Sequence, residues 1–197
     1  GELYLAKDIP EGVAATYVPN YEYTPKGATM NNALHYLNAN PGSTKITANV
    51  TSVTFGLTEN YAEIASTYTG VLADQEQDGP VYAYYVPNGS NYDVYMLASD
   101  TIYAPVDCSN LCLGMSNLVS VNTSNFDTSK TTNMYRMFRE CKKLTTIDVS
   151  KWDTSNVTNM QDLFRVCSSL TTVDVSNWNT GKVQILTAAF QDCAQLT

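Results

Sequence analysis

Three cysteines, Cys141, Cys167 and Cys193, stand 26 residues apart, and Cys108 and Cys112 precede them at a spacing of four. Thiols in such a pattern could ligate a metal, pair as disulfides, act as nucleophiles or pack as small apolar groups. Metal ligation needs donors that converge on one point. Residues that recur once per repeat arrive instead along a line, and no His or C-x-x-C accompanies them. A disulfide needs Cα atoms within about 7 Å and converging Cβ vectors, whereas neighbours in a column point the same way. A nucleophile needs a base, and the one histidine, His35, sits between Leu34 and Tyr36 in a stretch that reads as helix. Cys108 and Cys112 occupy the Met134 and Phe138 positions of the following unit, which are apolar. The spacing therefore predicts five free, structural thiols and no metal.

Other chemistry finds little support. No G-x-S-x-G, H-E-x-x-H or P-loop is present, so no triad, zinc or phosphate site is indicated. A glycosidase pair would need two carboxylates brought together by the fold, which spacing alone leaves open. Asp148 and Asp174, one unit apart, could face Ca²⁺, but such a site takes six or more oxygens; hydration or an edge hydrogen bond is the plainer expectation. Trp152 and Trp178 could stack a sugar, yet beside Val149 and Val175 they read as core. Sequons at Asn49, Asn88, Asn122 and Asn156 read as chance in a Thr/Ser-rich chain. No cofactor and no catalysis are expected.

The elements that hold these residues follow from one period. Leu118, Leu144, Leu170 and Leu196 are 26 apart, as are Val121, Ile147 and Val173; Phe126, Trp152 and Trp178; and Phe138, Phe164 and Phe190. Self-similarity at this length is the mark of a solenoid whose units bury their apolar faces on one another. Leu144, Ile147, Val149 and Trp152 fit an inward-facing strand, followed by an Asp153-Thr154-Ser155 turn. Met160, Leu163, Phe164 and Cys167 then fall at i, i+3, i+4 and i+7, one helix face, as do Met134, Met137, Phe138 and Cys141. Thr158 and Gln161 fit a capping box. Each unit is thus expected to be strand, turn and short helix: an α/β leucine-rich-repeat solenoid with a parallel sheet and full units at about 118–143, 144–169 and 170–195.

The strand positions between the inward ones face outward and make a ladder of small polar groups: Ser120, Asn122 and Ser124; Thr146, Asp148 and Ser150; Thr172, Asp174 and Ser176. This ladder is the candidate partner surface, since solenoids bind on that side.

Before the repeats, residues 1–28 read as an extended leader rich in Pro, Gly and Tyr. Residues 29–107 read as an α/β cap. Thr29 caps a helix through MNNALHYLN, KITANV and TSVTF alternate as strands, and a short helix fits Glu59 to Ala65. VYAYYV and YDVYML flank Asn88-Gly89 as a β-hairpin over 81–97, with TIYAP as a further strand. The hairpin is expected to cover the first repeat, which would otherwise expose a strand edge. Of its tyrosines, alternation sends some of Tyr82, Tyr84, Tyr85, Tyr92 and Tyr95 outward, and Tyr84 and Tyr92 join the candidate surface.

A net charge of −8 over 197 residues leaves no basic stripe to displace phosphate counterions, so nucleic acid is not an expected partner. No apolar run approaches the roughly 20 residues of a membrane helix. The first residues lack the features of a secretory signal; Gly1 reads as a processed or recombinant end.

The run LTTIDVSKWDTSNVTNMQDLFRVCSS resembles the 26-residue leucine-rich repeat of BspA-like bacterial surface proteins, most specifically in W-D-T-S and M-F-x-x-C. The resemblance covers about Cys108 to Thr197. The first unit departs from it with Thr123 and Phe126, and the third with NTGK and Leu186. It implies a secreted or cell-surface bacterial protein of adhesin-like role, binding a host or microbial extracellular protein or glycan. The alternatives are an architectural spacer displaying another domain, or a carbohydrate-binding module. Because Leu196-Thr197 starts a fourth strand and stops, the chain is further expected to belong to a longer array and to self-associate end to end.

Overall fold

The computed structural model describes residues 29–39, 41–74 and 79–197; the expected leader, 1–28, lies outside them. The first helix, α1 (Met30–His35), begins where Thr29 Oγ1 accepts the Asn32 N–H at 3.3 Å, an N-cap that satisfies an otherwise orphan donor. It buries Met30, Ala33 and Leu34 at i, i+3 and i+4. It ends sooner than the sequence suggested, because Tyr36 turns extended and Leu37–Ala39 continue as a 3-10 turn. The KITANV strand is also absent: Lys45 makes a lone bridge with Tyr36, and Thr47–Asn49 form a second 3-10 turn.

Five strands make the main sheet, in the order β2-β3-β4-β1-β6. They are β1 (Val50–Leu57), β2 (Val71–Asp74), β3 (Val81–Asn88), β4 (Asn91–Ala98) and β6 (Ser120–Asn122). The hairpin β3–β4 turns through Gly89-Ser90, with Gly89 at φ +63°, the left-handed geometry that two-residue turns need. Helix α2 (Ala62–Thr67) lies between β1 and β2, and β5 (Ile102–Tyr103) pairs in parallel with β7 (Phe126–Asp127). β1 is parallel to both its neighbours, while β2–β3 and β3–β4 are antiparallel.

The result is a mixed, mostly-sheet α/β domain with few helices, and the expected leucine-rich-repeat solenoid with its parallel sheet is overturned. Two physical reasons account for it. First, the segments expected to be repeat helices are chains of tight turns. Arg136, Glu140, Asp162, Val166, Ala188 and Asp192 adopt φ of 56° to 65°, which breaks any i→i−4 ladder. Second, past β7 the expected strands shrink to isolated parallel bridges, Thr146 to Thr172 and the series Asp107, Asn133, Asn159, Ile185. The hairpin does not cover the first unit either. β1 does so, pairing Ser52–Thr54 with Ser120–Asn122.

The 26-residue period still decides what is buried. Leu144, Ile147, Val149, Trp152, Phe164 and Cys167 are all in the core, which runs without a break from Met30 to Leu170. Phe138, Phe164 and Phe190 stack with centroids 5.4 and 5.6 Å apart. Among the described residues no helix is long and apolar enough to cross a membrane.

Candidate functional site

Of the ladder residues, Ser120, Asn122, Ser124, Thr146, Asp148, Thr172, Asp174 and Ser176 are exposed, and Ser150 is half-buried. They are brought together in register: Ser120 and Asn122 lie on β6, and Thr146 bridges Thr172. The middle row also has local work. Asn122, Asp148 and Asp174 each accept, through Oδ1, the N–H of the residue two further on, Ser124, Ser150 and Ser176, at 3.0, 3.0 and 2.9 Å. These side chains therefore fix turns, and the Ser150 hydroxyl adds a 2.6 Å bond to Asp148. Hydrogen bonds from Ser150 and from Ser176 hold the Asp148 and Asp174 carboxyls below the usual carboxylate range. A row of anionic and hydroxyl groups remains at the surface, suited to hydrogen-bonding a partner. No cluster of three or more His, Cys, Asp or Glu that could hold a metal occurs among the described residues.

Tyr84 is a correction. It is 1% exposed and packs with Ala65 and Leu97 under α2, and a Cβ on Gly70 would come within 2.8 Å of its ring. Tyr84 and Leu97 share one face of the hairpin, and α2 covers that face. Tyr92 is half-buried. Tyr85 faces the opposite side, donating its hydroxyl to Ala33 O at 2.8 Å.

All five cysteines are thiols, buried except for half-buried Cys193. Each repeat thiol donates to a carbonyl of the preceding unit: Cys141 to Cys112, Cys167 to Phe138 and Cys193 to Phe164, at 3.2, 3.1 and 3.1 Å. Burial pushes Cys108 and Cys167 up to about 12, so they stay protonated and unreactive at neutral pH.

Two polar features were not read from the sequence. Thr123, Thr128 and Thr154 are buried, and their hydroxyls donate to the carbonyls of Asp148, Asp153 and Asn179 in the next unit. The recurrence of Thr in FDTS, WDTS and WNTG was the available signal. Asp162 is also buried; its Oδ2 lies 3.3 Å from Arg136 Nε and 3.4 Å from Arg139 Nη1, and its Oδ1 3.6 Å from Arg165 Nη1. Since each arginine comes from a turn stacked on or beside Asp162, the group fastens turns together.

Residues 106–197 match a family described as "Mycoplasma protein of unknown function, DUF285". No curated protein and no solved structure matches the chain.

Proposed function

We propose that this chain is an extracellular, cell-surface protein-interaction module of a bacterium, adhesin-like and non-catalytic. The observation that supports it is the ladder: nine small polar residues, repeating at 26-residue intervals, hold outward positions beside inward apolar residues such as Leu118, Val121, Leu144, Ile147 and Leu170, which are buried. Such a face offers hydroxyls, carboxylates and threonine methyls in fixed spacing, with little conformational entropy to lose on binding. The resemblance of the W-D-T-S and M-F-x-x-C runs to BspA-like surface proteins gives the cell-surface part of the reading, and the Mycoplasma description of the matching family agrees with a bacterial source.

The test is an array of extracellular-matrix proteins and glycans, probed with the parent and with Thr146→Arg/Thr172→Arg. Both threonines are exposed, so the pair should leave the thermal midpoint unchanged. Loss of the bound spot in the double variant supports the ladder. Retained binding removes the ladder from the reading, and no spot at all favours the spacer.

A further inference from the structure

Arg136, Arg139 and Arg165 are the only arginines in the chain, and all three meet at one carboxylate. The Asp162 side chain is 3% exposed; its Oδ2 takes Arg136 Nε and Arg139 Nη1, while its Oδ1 faces Arg165 Nη1 at 3.6 Å, beyond hydrogen-bond distance. Arg139 Nε turns to Glu140 Oε1 at 3.2 Å. Backbone rows hold these side chains in register. The N–H groups of Met134, Arg136, Phe138 and Glu140 donate to the carbonyls of Asn159, Gln161, Leu163 and Arg165, and the row from Met160 to Val166 donates in the same direction to the unit after it. These peptide columns therefore run one way. Arg139 and Arg165 hold the same position in successive units, and the stack of Phe138 on Phe164 at 5.4 Å shows how closely those turns lie. Arg136 is braced over the Tyr135 ring, 4.5 Å from its centroid.

One guanidinium on Asp162 would be enough to fasten two turns, and this cluster holds more than its carboxylates use. Three guanidiniums against Asp162 and Glu140 leave one positive charge over. A guanidinium is a fork of N–H donors with no acceptor. Yet both Nη groups of Arg136, and Nη2 of Arg139 and of Arg165, meet no acceptor among the described residues. The three side chains are 35, 22 and 33% exposed, so their free Nη groups are open to a ligand. Partial burial also leaves their charge less screened than on an open surface.

We infer that this cluster is a binding site for a single carboxylate, carried on a ligand with no other negative charge. One surplus positive charge balances one anion. Arginine forks match the two oxygens of a planar carboxylate, which the point charge of a lysine does not. A polyanion fits badly, because beyond the cluster it meets a chain of net charge −8. A free organic acid and an acidic sugar both carry the required group, which would bridge guanidiniums of adjacent turns. The site is built on the turn segments and not on the ladder, so it stands whether or not the ladder binds.

The test follows the arginine Nε–H resonances of the full chain by NMR at constant ionic strength, with acetate, glucuronate, glucose and heparin as probes. Acetate and glucuronate should shift all three signals along one saturating curve, and glucose should shift none. Tighter binding of glucuronate than of acetate assigns the carboxylate to a sugar and equal binding assigns it to a free acid; each supports the site. Arg165→Gln should weaken binding about ten-fold, the worth of one charge-assisted hydrogen bond. Glu140→Gln, at a side chain 42% exposed, should tighten it about three-fold by removing the competing carboxylate. Glu63→Gln, an exposed position on α2, makes the same change in net charge and should leave binding as in the parent. A mere fastener gains nothing from Glu140→Gln, so the site remains testable if Arg165→Gln does not fold. The inference is overturned if neither acetate nor glucuronate gives a saturating shift, if glucose gives the same shift, or if heparin binds where the monocarboxylates do not.

Discussion

His35 Nε2 lies 3.1 Å from the carbonyl oxygen of Asn110, and its Nδ1 lies 2.9 Å from Thr47 Oγ1. A carbonyl can only accept, so Nε2 carries the proton and Nδ1 accepts from the Thr47 hydroxyl. The ring is neutral and joins α1 to the first turn segment. Burial lowers its pKa below 6.5, with Lys45 adding to the effect against hydrogen bonds that raise it.

Stability should therefore fall with acid in a defined window. A base with a depressed folded pKa takes up its proton more readily when unfolded. Its contribution is complete above pH 6.5 and is lost as pH drops below that value toward the folded pKa. The carboxylates of Asp148, Asp153 and Asp174 are held low by their serine hydrogen bonds and add their own loss only in stronger acid. Denaturant midpoints of the parent should decline between pH 7 and 5, and those of His35→Gln should decline less. Equal slopes would mean that His35 does not carry the effect.

Leu144→Ala should cost about 2 to 5 kcal/mol, because the side chain is fully buried and its loss leaves a cavity between units. Urea unfolding at pH 7 reads this directly. A cost under about 1 kcal/mol would show that the neighbouring units collapse onto the site.

The thiols should be silent in the native protein. With Cys108 and Cys167 pushed up to about 12 by burial, alkylation at pH 8 should mark half-buried Cys193 first and the other four only after unfolding. Mass spectrometry of the denatured, unreduced chain should count five alkylated cysteines. Rapid native labelling of Cys141, or any intact disulfide, contradicts the column of S–H to carbonyl bonds.

Trp152 and Trp178 stack with centroids 6.3 Å apart at 2°, and neither Nε1 finds a hydrogen-bond partner. An orphan buried donor costs about 1 to 3 kcal/mol, so removing it returns part of what a smaller ring loses. Phe126 already holds the equivalent position in the first unit, packed at 4.2 Å on Phe55. Trp152→Phe should stay within about 1.5 kcal/mol of the parent, and Trp152→Ala should lose about 3 to 5 kcal/mol. Similar losses for both would show that ring size, not the orphan donor, governs the site.

These outcomes trace which levels of the structure the sequence displays. The period placed Leu144, Trp152, Phe164 and Cys167 in the core, Thr29 marked a true N-cap, and Asn88-Gly89 marked the hairpin. The repeat helices failed because Met160, Leu163, Phe164 and Cys167 fall at i, i+3, i+4 and i+7 in tight turns as they would in a helix. The residues that set those turns left-handed are Arg136, Glu140, Asp162 and Val166, ordinary L-residues with no glycine to announce them. Tyr84 went inside because α2, near the short helix read over Glu59 to Ala65, covers that face of the hairpin, a contact that alternation along the strand does not reveal. The ladder was visible by alternation; its dual role in turns was not, since that depends on which serine N–H each carboxylate meets.

The one-way orientation of the peptide columns also sets a schedule for folding. The amides of the turn rows, such as Met134, Arg136, Phe138 and Glu140, are filled by carbonyls that lie later in the chain, those of Asn159, Gln161, Leu163 and Arg165, so on the ribosome each such row waits bare for the unit being made. The newest edge is always the unfinished one, and only the chain's own next residues arrive at it in time. Refolding from denaturant removes that timing. Every unit of every molecule then offers its amides at once, and carbonyl rows from neighbouring chains compete for them, so the yield of dilution refolding should fall as protein concentration rises.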